Sequence, residues 1–171
     1  MIKIFPFIFV LLWSSAFITT KPIIDNSDPF TALAFRFALV AFGFFLFSIY
    51  SKQKIFVSKR NFFESFFSGV LFHGFYLGGV FYSISIGMPT AIAALIVTLQ
   101  PVLTNALSGP ILNEKVSAKQ WIGVFLGFLG AGLVLGFDIG SKIPAAGLIA
   151  TIIALLAITF STLWQKKLSN N

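Results

Sequence analysis

At 171 residues, with 57% hydrophobic and only 10% charged, the chain has too few polar side chains to coat a water-soluble globule of its size. The absence of cysteine excludes disulfides and thiolate metal ligands, and a single histidine, His73, argues against a protein-built metal site. Neither a cofactor nor metal-dependent catalysis is expected, and the net charge of +7 sits in short basic runs between apolar blocks, the pattern of membrane topology signals rather than of nucleic-acid binding.

Those blocks have spanning length. Residues 4–20, 120–137 and 143–165 are uncharged runs of 17, 18 and 23, and the 49 residues 65–113, between Glu64 and Glu114, have room for two spans. A helix rising about 1.5 Å per residue needs roughly 20 apolar residues to cross hydrocarbon. The expected fold is an all-α membrane protein of about six transmembrane helices.

Span one is read over residues 4–20, followed by a loop, 21–28. Asp28 then reads as an N-cap, with Pro29 at the first position of span two, 29–50. A basic loop containing Lys52, Lys54, Lys59 and Arg60 leads to Asn61, whose spacing to Glu64 predicts a capping-box-like start for span three, 62–86. Gly87-Met88-Pro89-Thr90 predicts a tight turn. Span four, 91–112, carries Pro101 near its middle, where the missing N–H and the ring clash predict a kink. Ser117 and Gln120 predict a second capping box opening span five, which runs to Phe137, and span six follows over 143–165.

With these boundaries, nine basic residues (Lys3, Lys52, Lys54, Lys59, Arg60, Lys115, Lys119, Lys166 and Lys167) fall on one side and two (Lys21 and Lys142) on the other. Positively charged short loops are retained in the cytoplasm, so both termini are expected there, in a multi-pass inner or plasma membrane protein.

Polar residues within the spans are the candidates for chemistry, because each must be satisfied without water or lie along a path that admits it. Arg36 lies seven residues past Pro29, about 10 Å along the helix. It either snorkels to the outer interface or faces a cavity and holds an anionic or carboxylate group. His73 could relay protons or simply bond a neighbouring helix. Gln100 and Asn105, beside the Pro101 kink, could line a solute path or pair with adjacent helices. Trp13, Tyr76 and Tyr82 are candidates for an aromatic wall, with Tyr82 alternatively in the interfacial belt. No carboxylate lies deep in a span, so coupling through an intramembrane acid is not expected. Glu114 reads most simply as a solvated loop charge.

Glycine pairs Gly74/Gly78, Gly123/Gly127 and Gly132/Gly136 have GxxxG spacing, which predicts close packing of spans three and five against a surface either within the chain or on another protomer. The 23 phenylalanines read as lipid-facing and core filler.

Trp13-Ser14-Ser15 with Phe17 and Lys21, Ala34 and Arg36, Pro89-Thr90-Ala91, Leu99-Gln100-Pro101-Val102, Asn113-Glu114, Gln120-Trp121-Ile122-Gly123 and the glycines up to Gly136 occur in a fixed order. In that order and spacing the chain resembles the EamA-like drug/metabolite transporter superfamily. The resemblance implies a ten-helix bundle made of two five-helix units, the second inverted, that moves small metabolites, amino acids or drugs by alternating access. Residues 1–137 would form one unit, and 138–171 the loop and first helix of a truncated second unit, since 161–167 resembles the family's sixth helix. Interruption of a longer reading frame is the preferred explanation.

The same motif argues that span one is retained, although Lys3 and Ser14-Ser15-Ala16 also have signal-peptide character. The implied partners are a small-molecule solute, the lipid bilayer and a second half or second protomer. An antiparallel homodimer is disfavoured by the nine-to-two charge bias. A four-span multidrug pump relative is disfavoured because span one has no acid. The remaining alternative is a non-transporting membrane subunit or assembly partner that uses its glycine-rich faces.

Overall fold

The computed structural model describes residues 4–52, 58–112, 117–135 and 143–169, and every regular element among them is helical. Helix α1 is Phe5–Asn26 and α2 is Pro29–Tyr50. Next, α3 (Lys59–Gly69), a π-helical segment (Val70–Leu77) and α4 (Gly78–Ser85) form one continuous rod. A broken rod follows, made of α5 (Thr90–Val97) and α6 (Gln100–Leu112), and then α7 (Ala118–Leu135) and α8 (Ala145–Ser169). Five rods are long and apolar enough to cross a membrane, and α7 adds a helix of 18 residues. The chain is thus an all-α, multi-pass membrane protein of about six helices.

The predicted start and stop signals act locally. The Asp28 carboxylate accepts from the Thr31 N–H at 2.9 Å, with Pro29 at the first helical position of α2. Ser117 and Gln120 form a reciprocal box, with Ser117 N donating to Gln120 Oε1 at 2.8 Å and Gln120 N donating to Ser117 Oγ at 3.3 Å. At the end of α4, Gly87 has φ +95°, and its N–H donates to Ile84 O while Met88 N–H donates to Ser83 O. This pair of bonds is a Schellman closure, and the left-handed φ is why glycine stands there.

Three boundaries differ from expectation. Most of the predicted loop 21–28 is helix, because α1 runs on to Asn26. Lys21 pairs with Asp25 one turn on, and Asn26 Nδ2 donates to the Pro22 carbonyl at 2.9 Å, so the chain stays helical in the polar zone beyond the apolar run. Span three begins at Ser58 rather than Asn61: Ser58 Oγ accepts from Asn61 N at 3.2 Å, while Glu64 is drawn to Arg60 Nε at 2.8 Å. In span four the expected kink is a full interruption at Thr98–Leu99, which leaves Pro101 in the first turn of α6, where its missing N–H costs least. Lys3, Lys54, Glu114, Lys115, Gly136, Asp138 and Lys142 lie outside the described residues.

Helix α8 is the central pillar, packed against the π segment, α4, α5 and α6. Its inward stripe, Gly147, Thr151, Ala154, Ile158 and Ser161, has alternating spacings of four and three and is buried. That spacing keeps one seam facing a neighbouring rod over its whole length. The closest approach is at Gly79, where an added Cβ would lie 3.0 Å from the Ala150 carbonyl oxygen and 3.2 Å from Ala154 Cβ. Span three is therefore tightly packed as expected, but through Gly79 rather than Gly74, which meets only its own Val70.

Span five does not meet the same expectation within this chain. Gly123, Gly127, Gly130 and Gly132 have nothing within 4 Å, although α7 lies beside α5 and α6. The buried Thr151 and Thr159 hydroxyls are satisfied along α8 itself, donating to Gly147 O and Leu155 O, both at 2.8 Å.

Asp28 gives a testable pH dependence. The Thr31 N–H bond holds its carboxyl below the ordinary aspartate value. A depressed folded-state pKa stabilises at neutral pH, and that contribution fades as pH falls below about 4 and through the folded value. Thermal melts of Asp28→Asn in detergent should show a flatter acid limb than the unaltered chain; identical limbs would refute the cap.

Candidate functional site

Helices α1 and α2, the π segment and α4 line a half-open cavity of about 310 Å³. Four of the seven predicted site residues meet in its wall, namely Trp13 from α1, Arg36 from α2, and His73 and Tyr76 from the π segment. The π segment brings His73 and Tyr76 to the same wall, and π turns inside longer helices are often found at functional sites.

The rings are ordered. Trp13 and Tyr76 lie nearly parallel, 6° apart with centroids at 6.3 Å, and Phe9 extends the stack onto Trp13 at 5.5 Å. Phe37 and Phe72 approach His73 edge-on at 4.9 and 5.1 Å, and Phe72 also meets Tyr76 at 5.4 Å. Offset and edge-to-face contacts of this kind are the favoured ring geometries and fix the wall's shape. Tyr76 is only 2% exposed, so this wall is anchored in the bundle core.

Arg36 supplies the charge of the cavity wall. Among the described residues the ion pairs are Lys21–Asp25 and Arg60–Glu64, so no carboxylate neutralises Arg36. A guanidinium beside stacked rings can hold a carboxylate through a paired hydrogen-bond fork while the rings receive an apolar body.

The other predicted residues lie elsewhere. Gln100 Nε2 donates to Thr162 Oγ1 of α8 at 3.0 Å, which is the helix-bridging role weighed for it. Pro101 is exposed in the first turn of α6, and Asn105 is half-buried with its carbonyl accepting from Ser108 Oγ at 2.9 Å. Helix α8 lies between the π segment and α6, which separates these three from the cavity. Tyr82 is 39% exposed and does not line the cavity.

A polar cluster went unrecognised in the sequence. Ser68 and Ser161 hydroxyls lie 3.1 Å apart, Ser161 Oγ donates to the Ser68 carbonyl at 3.1 Å, and Gln165 Nε2 reaches Ser68 Oγ at 2.7 Å. The available signal was Ser161 and Gln165 one turn apart in an otherwise apolar span. This cluster borders a second cavity of about 460 Å³, lined by Ser65, Ser68, Gly69, Phe72, His73, Gln165 and Leu168.

Comparison with known proteins agrees with this architecture. Proteins named "Probable amino-acid metabolite efflux pump" from Salmonella typhimurium (strain LT2) and Escherichia coli (strain K12) are each 24% identical, over 93% and 95% of this chain. The chain spans about half the length of these curated relatives, 51% and 52%. No solved structure matches it. A family model matches residues 2–136, the greater part of the chain and all of the cavity wall, and on that match the chain belongs to the EamA-like transporter family.

Proposed function

We propose that the chain is the N-terminal five-helix unit, with the first helix of a second and inverted unit, of a carrier that moves small metabolites by alternating access. The observation that carries this reading is the aromatic cavity with Arg36 in its wall and, among the described residues, no carboxylate paired with it. Solutes with a carboxylate and an apolar body, amino acids among them, suit that wall, and the printed names of the two relatives support the class. Their twofold greater length supports a second unit, or a second protomer, as the other wall of the path. The charge bias supports an inner or plasma membrane location with both termini cytoplasmic.

Purified protein in liposomes, alone and joined to a second five-helix unit, tests the proposal with a panel of radiolabelled amino acids. Saturable uptake above that of empty liposomes is expected for the joined form. Absence of uptake in both forms would favour the second reading, a non-transporting subunit, for which the open space beside Gly123, Gly127 and Gly130 on α7 speaks.

A further inference from the structure

The two cavities share two residues, Phe72 and His73. We propose that the polar cavity is a second solute chamber in series with the aromatic one, taking neutral hydrogen-bonding groups, and that the Phe72 and His73 rings are the partition between them. This rests on the transport reading for its purpose, but its geometry can be tested without flux.

The chambers differ in chemistry. Stacked rings and a guanidinium line the first, whereas the second offers the Ser65 and Ser68 hydroxyls and the Gln165 amide. Ser68 and Ser161 hold that amide in place, as Gln165 Nε2 donates to both hydroxyls, at 2.7 and 3.2 Å. A fixed amide with hydroxyls beside it suits a hydroxyl, amide or zwitterionic head group and offers a free anion no cationic partner.

The second chamber lies near one end of the bundle, where α3 starts and α8 finishes. Gln165 is followed by Lys166 and Lys167, and Ser65 directly follows Glu64, just over one turn past Arg60. Phe72 is half-buried and braced by Tyr76 on the side of the first chamber, while His73, more exposed, meets Phe72 and Phe37 edge-on. Both partition rings belong to the π segment. A π turn carries one more residue than an α turn, so its conversion to α geometry would shift these rings relative to α4.

The absence of cysteine makes site-directed thiol labelling direct. Ser65→Cys reports the polar chamber and Ala16→Cys the aromatic one, in right-side-out and inverted membrane vesicles treated with a charged, impermeant methanethiosulfonate. Ser65→Cys should react from the face bearing Lys166 and Lys167, and Ala16→Cys should be protected from that face. Adding Phe72→Ala should raise labelling of Ala16→Cys from that face by about tenfold, with Phe72→Leu intermediate. If Phe72→Ala disturbs folding, the monodisperse Phe72→Leu protein alone decides.

Millimolar serine, threonine and glutamine serve as probes of the polar chamber. At least one should slow labelling of Ser65→Cys, and Gln165→Leu should abolish that protection. Unchanged Ala16→Cys labelling in folded Phe72 variants overturns the partition, and absence of protection by all three probes overturns the chamber. Neither result depends on flux, so a failed transport assay and a failed partition remain distinct.

Discussion

Gly79→Leu is expected to lower the melting temperature of the detergent-purified chain more than any other single change on α4. The Gly79 position already faces the Ala150 carbonyl oxygen at 3.0 Å and Ala154 at 3.2 Å from where a Cβ would sit, so even alanine presses on backbone. A leucine adds three carbons where no flexible side chain can yield. The rods must separate, and with them goes the seam from Gly147 to Ser161.

In lipid, apolar burial gives little drive for helix association, so the stability of this seam comes from close contact and is lost with distance. Overpacking costs about 1–3 kcal/mol, which at about 2–4 °C per kcal/mol for a chain of this size is a readily measured shift. Gly127→Leu is the control, because nothing lies within 4 Å of that glycine. Equal shifts for Gly79→Leu and Gly127→Leu would show that α4 and α8 do not meet as described.

The contrast between these two glycines also marks what the sequence could tell. GxxxG spacing identifies helices able to approach closely, but a pairwise motif does not name the partner. Gly79 lies outside the pattern and makes the closest contact, since the face is selected by the stripe on α8 rather than by spacing on α4. Helix ends set by local chemistry, such as Asp28 with Pro29 and Ser117 with Gln120, were legible because every partner is within four residues. The run of α1 past Lys21 was not, because charge ends an apolar run without ending a helix.

The candidate site divides in the same way. Trp13, Arg36, His73 and Tyr76 were legible individually as polar or aromatic groups at spanning depth, and the fold gathers them at one cavity. Gln100, Pro101 and Asn105 share the same sequence character but fall behind α8. That separation depends on where the sixth span inserts, a long-range fact with no local signature. The Ser68–Ser161–Gln165 cluster was missed for the same reason, as Ser68 lies more than 90 positions from the other two and joins them only when α3 meets α8.

In the form joined to a second five-helix unit, Arg36→Gln is expected to raise the KM for a carboxylate-bearing solute while leaving a neutral solute of the same body little changed. A charged hydrogen bond that is shielded from water contributes about 1.5–3 kcal/mol, or about 10- to 100-fold in KM, with the lower end expected here because the Arg36 side chain is exposed. Arg36→Lys should recover part of the loss, since it keeps the charge but not the planar fork that pairs with both carboxylate oxygens. Snorkelling predicts another pattern. An arginine that only reaches a lipid phosphate would, when changed to glutamine, alter yield or stability and shift both solutes equally. The ratio of the two KM values therefore separates the roles, and an unchanged ratio in folded Arg36→Gln would remove the anion-holding function. Such selectivity for carboxylates would also give a function to a cation placed at spanning depth beside Phe37, Val40 and Tyr76, where no described carboxylate supplies the counter-charge.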